Sequence, residues 1–238
     1  MVAPLMTALL ISALAAAQAD PDVLYRQRAD LSRAREATAI WQARVASNPK
    51  DFESSWKLAR ATYWLGEHDL PAARRAWLER GVEVARAAAA LEPKRPEGYF
   101  WMAANMGALA ESFGLRQGLR YRASIKEALE TVLRLDPAYL QGSADRGLGR
   151  WYHRVPGLFG GDKKKAEAHL RQSLTYNPDS TVSHFFLAET LFELDRDAEA
   201  IQELQKVIDA PLDPDFEPED REYKKKAAEL LAQRRPKR

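Results

Sequence analysis

Apolar side chains recur every three or four positions along most of this chain, which is the spacing of one face of an α-helix. In the run 22–48, for example, Leu24, Leu31 and Trp41 share one stripe. Similar runs predict further helices. One is predicted to be capped by Asp51 and to end near Gly66, and others cover 71–91, 120–135, 163–176, 181–194, 197–209 and 219–233. Because no segment alternates as a half-buried strand does, the pattern predicts an all-α protein.

Prolines interrupt this helical pattern at a nearly constant interval. Pro49, Pro93 and Pro137 follow one another at 44 residues, and Pro178 comes 41 residues later. Proline ends a helix, and a fixed period marks an array, so the chain is predicted to repeat a pair of helices. Stacked helix pairs expose a concave face, which favours a binding protein over an enzyme.

The most regular repeat, residues 181–208, carries small or apolar residues where paired helices touch. These residues are Leu187, Ala188, Leu191, Ala200, Leu204, Val207 and Ile208. With Leu148-Gly149 and Leu58-Ala59 in earlier repeats, the chain resembles the tetratricopeptide repeat (TPR) family over about residues 22–232. The resemblance implies a right-handed α-α superhelix of helical hairpins, with the first helix of each pair on the concave face. These repeats are longer than the 34 residues of that family.

That register predicts a set of partner-binding residues on the concave face. They are Trp56, Arg60, Tyr63, Phe100, Ala104, Arg146, Arg150, His153, Arg154, Phe185, Glu189 and Phe192. Arg146, Arg150 and Arg154 are four positions apart, so they form one cationic stripe on a helix. Either acids such as Glu189 and Glu193 pair with this stripe internally, or it binds an acidic peptide or a small carboxylate. The aromatic residues suit a ligand with an apolar body, although such residues also build helical cores.

The two ends of the chain differ from the repeats. Residues 1–19 are uncharged and end in Ala17-Gln18-Ala19, which predicts a signal peptide cleaved after Ala19 and a periplasmic protein. An uncleaved anchor or a misplaced start codon is the alternative, because no Lys or Arg stands near the start. The chain has no cysteine, so we expect neither disulfides nor a lipid anchor at the cleavage point. After the repeats of 20–209, the proline-rich segment 210–220 is predicted to be extended. Residues 221–238 are predicted to form a capping helix with a basic tail.

A second resemblance concerns function. Gly98-Tyr99-Phe100-Trp101, Leu148-Gly149-Arg150-Trp151-Tyr152, Phe159-Gly160-Gly161-Asp162 and Ala210-Pro211-Leu212-Asp213 are similar to segments of the T-component of TRAP transporters. That family consists of periplasmic repeat proteins that accompany a solute-binding partner. The resemblance implies an accessory role in small-molecule uptake, together with self-association into a homo-oligomer.

Candidate chemistry is sparse. The loop 157–162 lacks a Walker A pattern and is predicted to be a turn, with Asp162 capping the next helix. The run Lys163-Lys164-Lys165 is either solvated or holds an anion or an acidic surface. Four scattered histidines have no metal spacing, no nucleophile–base set is evident, and a net charge of +2 gives no sign of nucleic-acid binding. We therefore expect no enzyme, cofactor, metal or membrane span in the mature chain.

The sequence thus predicts a periplasmic TPR-type scaffold that binds a protein or peptide on its concave face, such as a solute-binding protein. A T-component-like subunit of a TRAP-type uptake system is the alternative. A hydrolase on a helical scaffold is the second alternative. A deep pocket with converging carboxylates would favour it.

Overall fold

The computed structural model describes residues 19–234, and the regular elements of that part are all helical. The α-helices are α1 Pro21–Arg26, α2 Leu31–Ser47, α3 Phe52–His68, α4 Arg74–Leu91, α5 Pro96–Ser112, α6 Leu115–Leu135, α7 Ser143–Arg154, α8 Lys163–Tyr176, α9 Thr181–Phe192, α10 Asp197–Asp209 and α11 Glu217–Arg234. A short 3₁₀ turn, Gly157–Phe159, lies between α7 and α8. Residues 1–18, most of the predicted signal peptide, lie outside the described residues, as does the tail 235–238. Within residues 19–234, no helix combines the length and the apolar character needed to cross a membrane.

Short polar side chains start several of these helices. The carboxylate of Asp51 accepts a hydrogen bond from the backbone N–H of Ser54, and Asp162 accepts from those of Lys164 and Lys165. These groups satisfy donors that have no partner inside the helix. Both caps were predicted from the sequence and are confirmed.

The helix boundaries depart from the predictions in five places. The predicted helix 22–48 is divided at residues 27–30, where Asp30 caps α2. The helix predicted from Pro71 begins at Arg74, α6 begins at Leu115 instead of residue 120, and α9 ends at Phe192. The last helix begins at Glu217, inside the segment predicted to be extended, because Pro218 is tolerated in a first helical turn. The apolar stripe continues across the break at 27–30, so periodicity alone could not locate it.

Consecutive helices pack in pairs, and alternate helices form two layers. The inner layer contains α3, α5, α7 and α9, and the outer layer contains α4, α6, α8 and α10. Buried side chains form three clusters along the stack, around Trp41 and Leu65, around Met106 and Leu129, and around Leu191 and Leu204. Each pair is sheltered by its neighbours, as the repeat pattern predicts. The predicted all-α superhelix of TPR-like hairpins is confirmed.

The C-terminal helix α11 does more than cap the stack. Its Ala227 and Tyr223 pack on the last pair, as expected for a capping helix. In addition, its Glu219 accepts hydrogen bonds from Arg28, which follows α1, and its Glu222 bonds to His68 of α3 at 3.1 Å. The chain therefore closes on itself. The concave face was expected to be exposed, and α11 and residues 210–216 cover part of it.

Candidate functional site

The covered groove is a cavity of about 1070 Å³. Its walls come from α5, α6, α7 and α9, with α11 and the segment before it on the remaining side. Apolar and aromatic side chains line much of it, including Phe100, Trp101, Ile125, Phe186 and Tyr223. A concave, largely apolar site with a few charged groups is typical of ligand-binding pockets.

The cavity opens because α5 and α7 are spread apart, with little direct packing between them. The turn between α6 and α7 places three consecutive residues at positive φ: Leu140 at 44°, Gln141 at 58° and Gly142 at 75°. For Leu140 and Gln141 this conformation costs on the order of 1 kcal/mol each. The Gln141 side chain donates to Asp213 at 2.9 Å and accepts from Asn177 at 2.6 Å. Sequence reasoning missed Leu140 and Gln141, and no local signal identifies them.

The three arginines of the stripe on α7 have different surroundings. Arg150 is held on both sides, donating from Nε and Nη2 to Glu111 at 2.9 Å each and from Nη1 to Glu189 at 2.6 Å. Arg154 lies 3.8 Å from the same Glu111 carboxylate. Arg150 is thus paired inside the protein, and Arg154 makes a longer contact with the same acid, which agrees with the internal-pairing hypothesis for these two residues. However, Glu193 pairs with Lys163 instead of the stripe, and its carboxylate lies 3.4 Å from the His153 Nε2.

Arg146 is different. Among residues 19–234, no carboxylate oxygen lies within 4.0 Å of its guanidinium, although the side chain lines the cavity. Burial lowers the pKa of Arg146, and the nearby hydroxyls of Tyr223 and Tyr63 offset this only in part. The pKa of Arg150, by contrast, is raised, because its pairing with Glu111 outweighs burial. The cavity therefore contains a partly buried positive charge with no carboxylate oxygen within 4.0 Å in the described part of the chain.

The other predicted residues divide between the cavity and the framework. Tyr63, Phe100 and Ala104 line the cavity, as predicted. Trp56 and Arg60 do not line the cavity. The Arg60 guanidinium lies instead at the junction with α1, 4.1 Å from the Tyr25 ring centre and 3.5 Å from the Asp22 carboxylate.

Phe185 is also misplaced by the sequence prediction. It is buried in the core, with its ring centre 5.3 Å from that of Tyr223, and the neighbouring Phe186 reaches the cavity instead. A difference of one residue in helical register decides which ring faces inward.

His153, Glu189 and Phe192 line a separate cavity of about 190 Å³, together with Leu230 and Arg234. The His153 Nδ1 is 3.0 Å from the Thr190 hydroxyl. Burial, together with the positive charge of Lys163, lowers the pKa of His153 to about 4. His153 is therefore uncharged near neutral pH, which relieves repulsion with Arg150 and Arg154.

The loop before α8 is a turn, as predicted. Gly160 has a φ of 102°, and a Cβ on Gly161 would lie 1.6 Å from the Val155 carbonyl oxygen. The N–H groups of Lys164 and Lys165 at the start of α8 already donate to Asp162. The sequence left open that free N–H groups at this helix start bind an anion. Because Asp162 already accepts from the N–H groups of Lys164 and Lys165, the structure does not support that alternative.

The groups that meet in the large cavity suit binding. A guanidinium, aromatic walls and fixed ion pairs can hold an acidic group and an apolar body. Among the described residues, no cluster of His, Asp and Glu side chains has the arrangement of a metal site.

Comparisons with solved structures place the fold among TPR proteins. The chain is similar to TTC0263, a thermophilic TPR protein of Thermus thermophilus, with 23% identity and a TM-score of 0.66 over 89% of this chain and 97% of that one. It is also similar to MamA, with 14% identity and a TM-score of 0.51 over 87% of this chain and 98% of that one. At these identities the similarity shows the fold alone. No curated protein matches the chain.

A family model gives the identity more closely. The model described as "Regulator of microtubule dynamics protein 1-3" matches residues 18–235, which is most of the chain. None of these matches supports the resemblance to the T-component of TRAP transporters. The chain belongs to the family described as Regulator of microtubule dynamics protein 1-3, and it has a TPR-like superhelical fold.

Proposed function

We propose that this protein is a non-enzymatic scaffold whose concave cavity receives an acidic segment of a partner protein. The observation that carries the proposal is Arg146, a charged side chain that lines the cavity and has no carboxylate oxygen within 4.0 Å among residues 19–234. Arg150 and Arg154, one and two turns further along α7, are already paired with Glu111. Arg146 is thus the guanidinium of the stripe that is left for an incoming acid.

The electrostatics favour a carboxylate at this position. A unit charge 4 Å from the guanidinium gains about 4 kcal/mol at an effective dielectric constant of 20. The planar guanidinium of Arg146 can bind a carboxylate with two hydrogen bonds. Phe100, Trp101 and Phe186 then offer apolar contact to the residues beside the acid.

The size of the cavity favours a peptide segment. Its volume of about 1070 Å³ lies at the upper limit of pockets that hold small molecules, roughly 300–1,000 Å³. The inner faces of helical repeat arrays are extended binding surfaces of this kind. A few residues of a partner chain would fill the space between α5, α7 and α11.

Displayed peptide libraries test the proposal with the full chain as bait. We expect enrichment of sequences with Asp, Glu or a free C-terminal carboxylate next to an apolar residue. The variant Arg146→Gln should weaken a selected peptide by about thirtyfold, corresponding to about 2 kcal/mol, as measured by fluorescence anisotropy. Its melting temperature should stay close to that of the parent, because the substitution breaks no ion pair among residues 19–234.

The matched control is Arg86→Gln, which removes an exposed arginine of α4 outside the cavity and should leave peptide binding unchanged. Selected peptides without an acidic group, or unchanged binding by Arg146→Gln, would contradict the proposal. The description of the family names the regulation of microtubule dynamics. Co-sedimentation with polymerised tubulin is therefore a further experiment that tests for a partner. Co-sedimentation that is lost in Arg146→Gln would identify tubulin as the partner, and it would contradict the periplasmic location that is proposed below.

The proposal includes export to the periplasm, which is supported by the sequence of residues 1–19 alone. Cleavage after Ala19 would leave Asp20 as the first residue, and its carboxylate caps α1 by accepting from the N–H of Asp22. N-terminal sequencing of the protein from a periplasmic extract should therefore begin at Asp20. A chain that retains Met1 would contradict this part of the proposal. We do not propose the transport-accessory or hydrolase alternatives.

A further inference from the structure

The loop between α7 and α8 presents an apolar tip to solvent. Leu158 is 90% exposed, the highest value for a large apolar residue within 19–234, and the adjacent Phe159 is 36% exposed. The loop is held in shape by backbone hydrogen bonds from Phe159 and Gly161 to the Pro156 carbonyl, at 2.8 and 3.2 Å. A further bond from Asp162 N–H to the Tyr152 carbonyl, at 3.0 Å, ties the loop to α7. Leu158 is therefore exposed by a fixed turn.

Cationic side chains surround this tip. The Arg122 guanidinium of α6 lies 5.7 Å from the Phe159 ring centre, and exposed Lys164 and Lys165 follow the loop in the first turn of α8. Within residues 19–234, none of the three cations has a carboxylate oxygen within 4.0 Å. The nearby acid, Asp162, is occupied in capping α8. We call Leu158, Phe159, Arg122, Lys164 and Lys165 the Leu158 patch.

We propose that the Leu158 patch docks the protein on an anionic lipid surface. Leu158 and Phe159 would enter the boundary between headgroups and acyl chains, and the three cations would face the lipid phosphates. This interaction goes beyond the proposed function, because it uses the loop and not Arg146.

The shape and charge of the patch favour a membrane over a protein partner. A protein hot spot is usually an apolar residue seated in a complementary pocket, and its surface carries charges of both signs. Here two apolar side chains project from a convex turn beside three cations that have no carboxylate oxygen within 4.0 Å among residues 19–234, and the adjacent acid, Asp162, caps α8. Apolar side chains flanked by cations are the arrangement of interfacial membrane anchors. Each Lys or Arg near an anionic surface contributes about fivefold to binding, so three give on the order of a hundredfold preference over a neutral surface.

The absence of cysteine from the sequence allows a direct test. The full chain with Leu158→Cys can carry a single polarity-sensitive fluorophore, such as nitrobenzoxadiazole, at the tip of the loop. We expect its emission to rise and shift to the blue with vesicles of phosphatidylcholine and phosphatidylglycerol. Pure phosphatidylcholine vesicles should leave the emission unchanged at the same lipid concentration. The matched control is Leu70→Cys, another leucine with 68% exposure that lies outside the patch, which should not respond to either vesicle.

A second variant tests the cations. Adding Lys164→Glu and Lys165→Glu to the labelled Leu158→Cys chain should weaken the response to anionic vesicles by more than about tenfold. Its melting temperature should stay close to that of the parent, since both side chains are exposed. Three results would each overturn the proposal. They are no change in emission from position 158 with anionic vesicles, equal changes in emission from positions 158 and 70, and an unchanged response after the two charge reversals. A label at position 158 that is silent with vesicles but protected by an added protein would assign the patch to a protein interface instead.

Discussion

We expect Gly98→Ala to lower the free energy of unfolding by about 3 kcal/mol or more. Gly98 lies in α5 where this helix crosses α4, and a Cβ at position 98 would lie 2.4 Å from the backbone nitrogen of Ala89 and 2.8 Å from its Cα. Backbone atoms cannot move aside as a side chain can, so the two helices would have to separate. Overpacking of this kind typically costs about 1–3 kcal/mol, and a backbone clash belongs at or above the upper limit. Urea denaturation monitored by circular dichroism measures the change.

Gly107 provides the control on the same helix. A Cβ at position 107 meets no other atom within 4 Å. Gly107→Ala should therefore raise the free energy of unfolding by about 0.5–1 kcal/mol, because alanine loses less backbone entropy than glycine in a helix. Equal effects of the two substitutions would show that α4 and α5 are not in close contact at Gly98.

The second large effect is expected for Arg28→Met, which removes the link between α11 and the first helices. Arg28 has a side chain only 5% exposed. It donates to the Asp215 carbonyl at 2.9 Å and, from Nε, to Glu219 at 3.0 Å. Breaking a buried ion pair typically costs about 3–5 kcal/mol, and because Glu219 keeps 26% exposure we expect about 2–3 kcal/mol. Amide hydrogen exchange should become faster in α11 than in α9, because α11 loses its anchor.

Arg221→Met is the matched control for this prediction. Arg221 also pairs with a glutamate of α11, Glu217, but its side chain is 65% exposed and the pair lies within one helix. Its loss should change stability by at most about 0.5 kcal/mol. If Arg28→Met and Arg221→Met behave alike, α11 is held by its contacts with α9 and α10 alone.

These two experiments also bear on the cavity. Its walls include α5, which Gly98 positions, and α11, which Arg28 positions. A variant that releases α11 should therefore weaken peptide binding even though no cavity-lining side chain has changed. The comparison with Arg146→Gln, which should weaken binding without loss of stability, separates recognition from support.

The sequence by itself determined the repeat array and much of the inner layer. Proline spacing and the three-to-four periodicity are local properties, so they correctly predicted paired helices and the caps Asp51 and Asp162. The register of the repeats also placed Tyr63, Phe100 and Arg146 on the inner face, where the cavity lies.

Only the tertiary structure decided which arginine is free and whether the groove is open. Arg146, Arg150 and Arg154 are equivalent in spacing, and they differ because Glu111 of α5 reaches two of them. The contact that closes the groove joins Arg28 and Glu219, which are 191 residues apart. Periodicity in the sequence shows which face of a helix is buried. Whether Arg28 and Glu219 meet depends instead on the summed curvature of all the helix pairs between them, which no local pattern records.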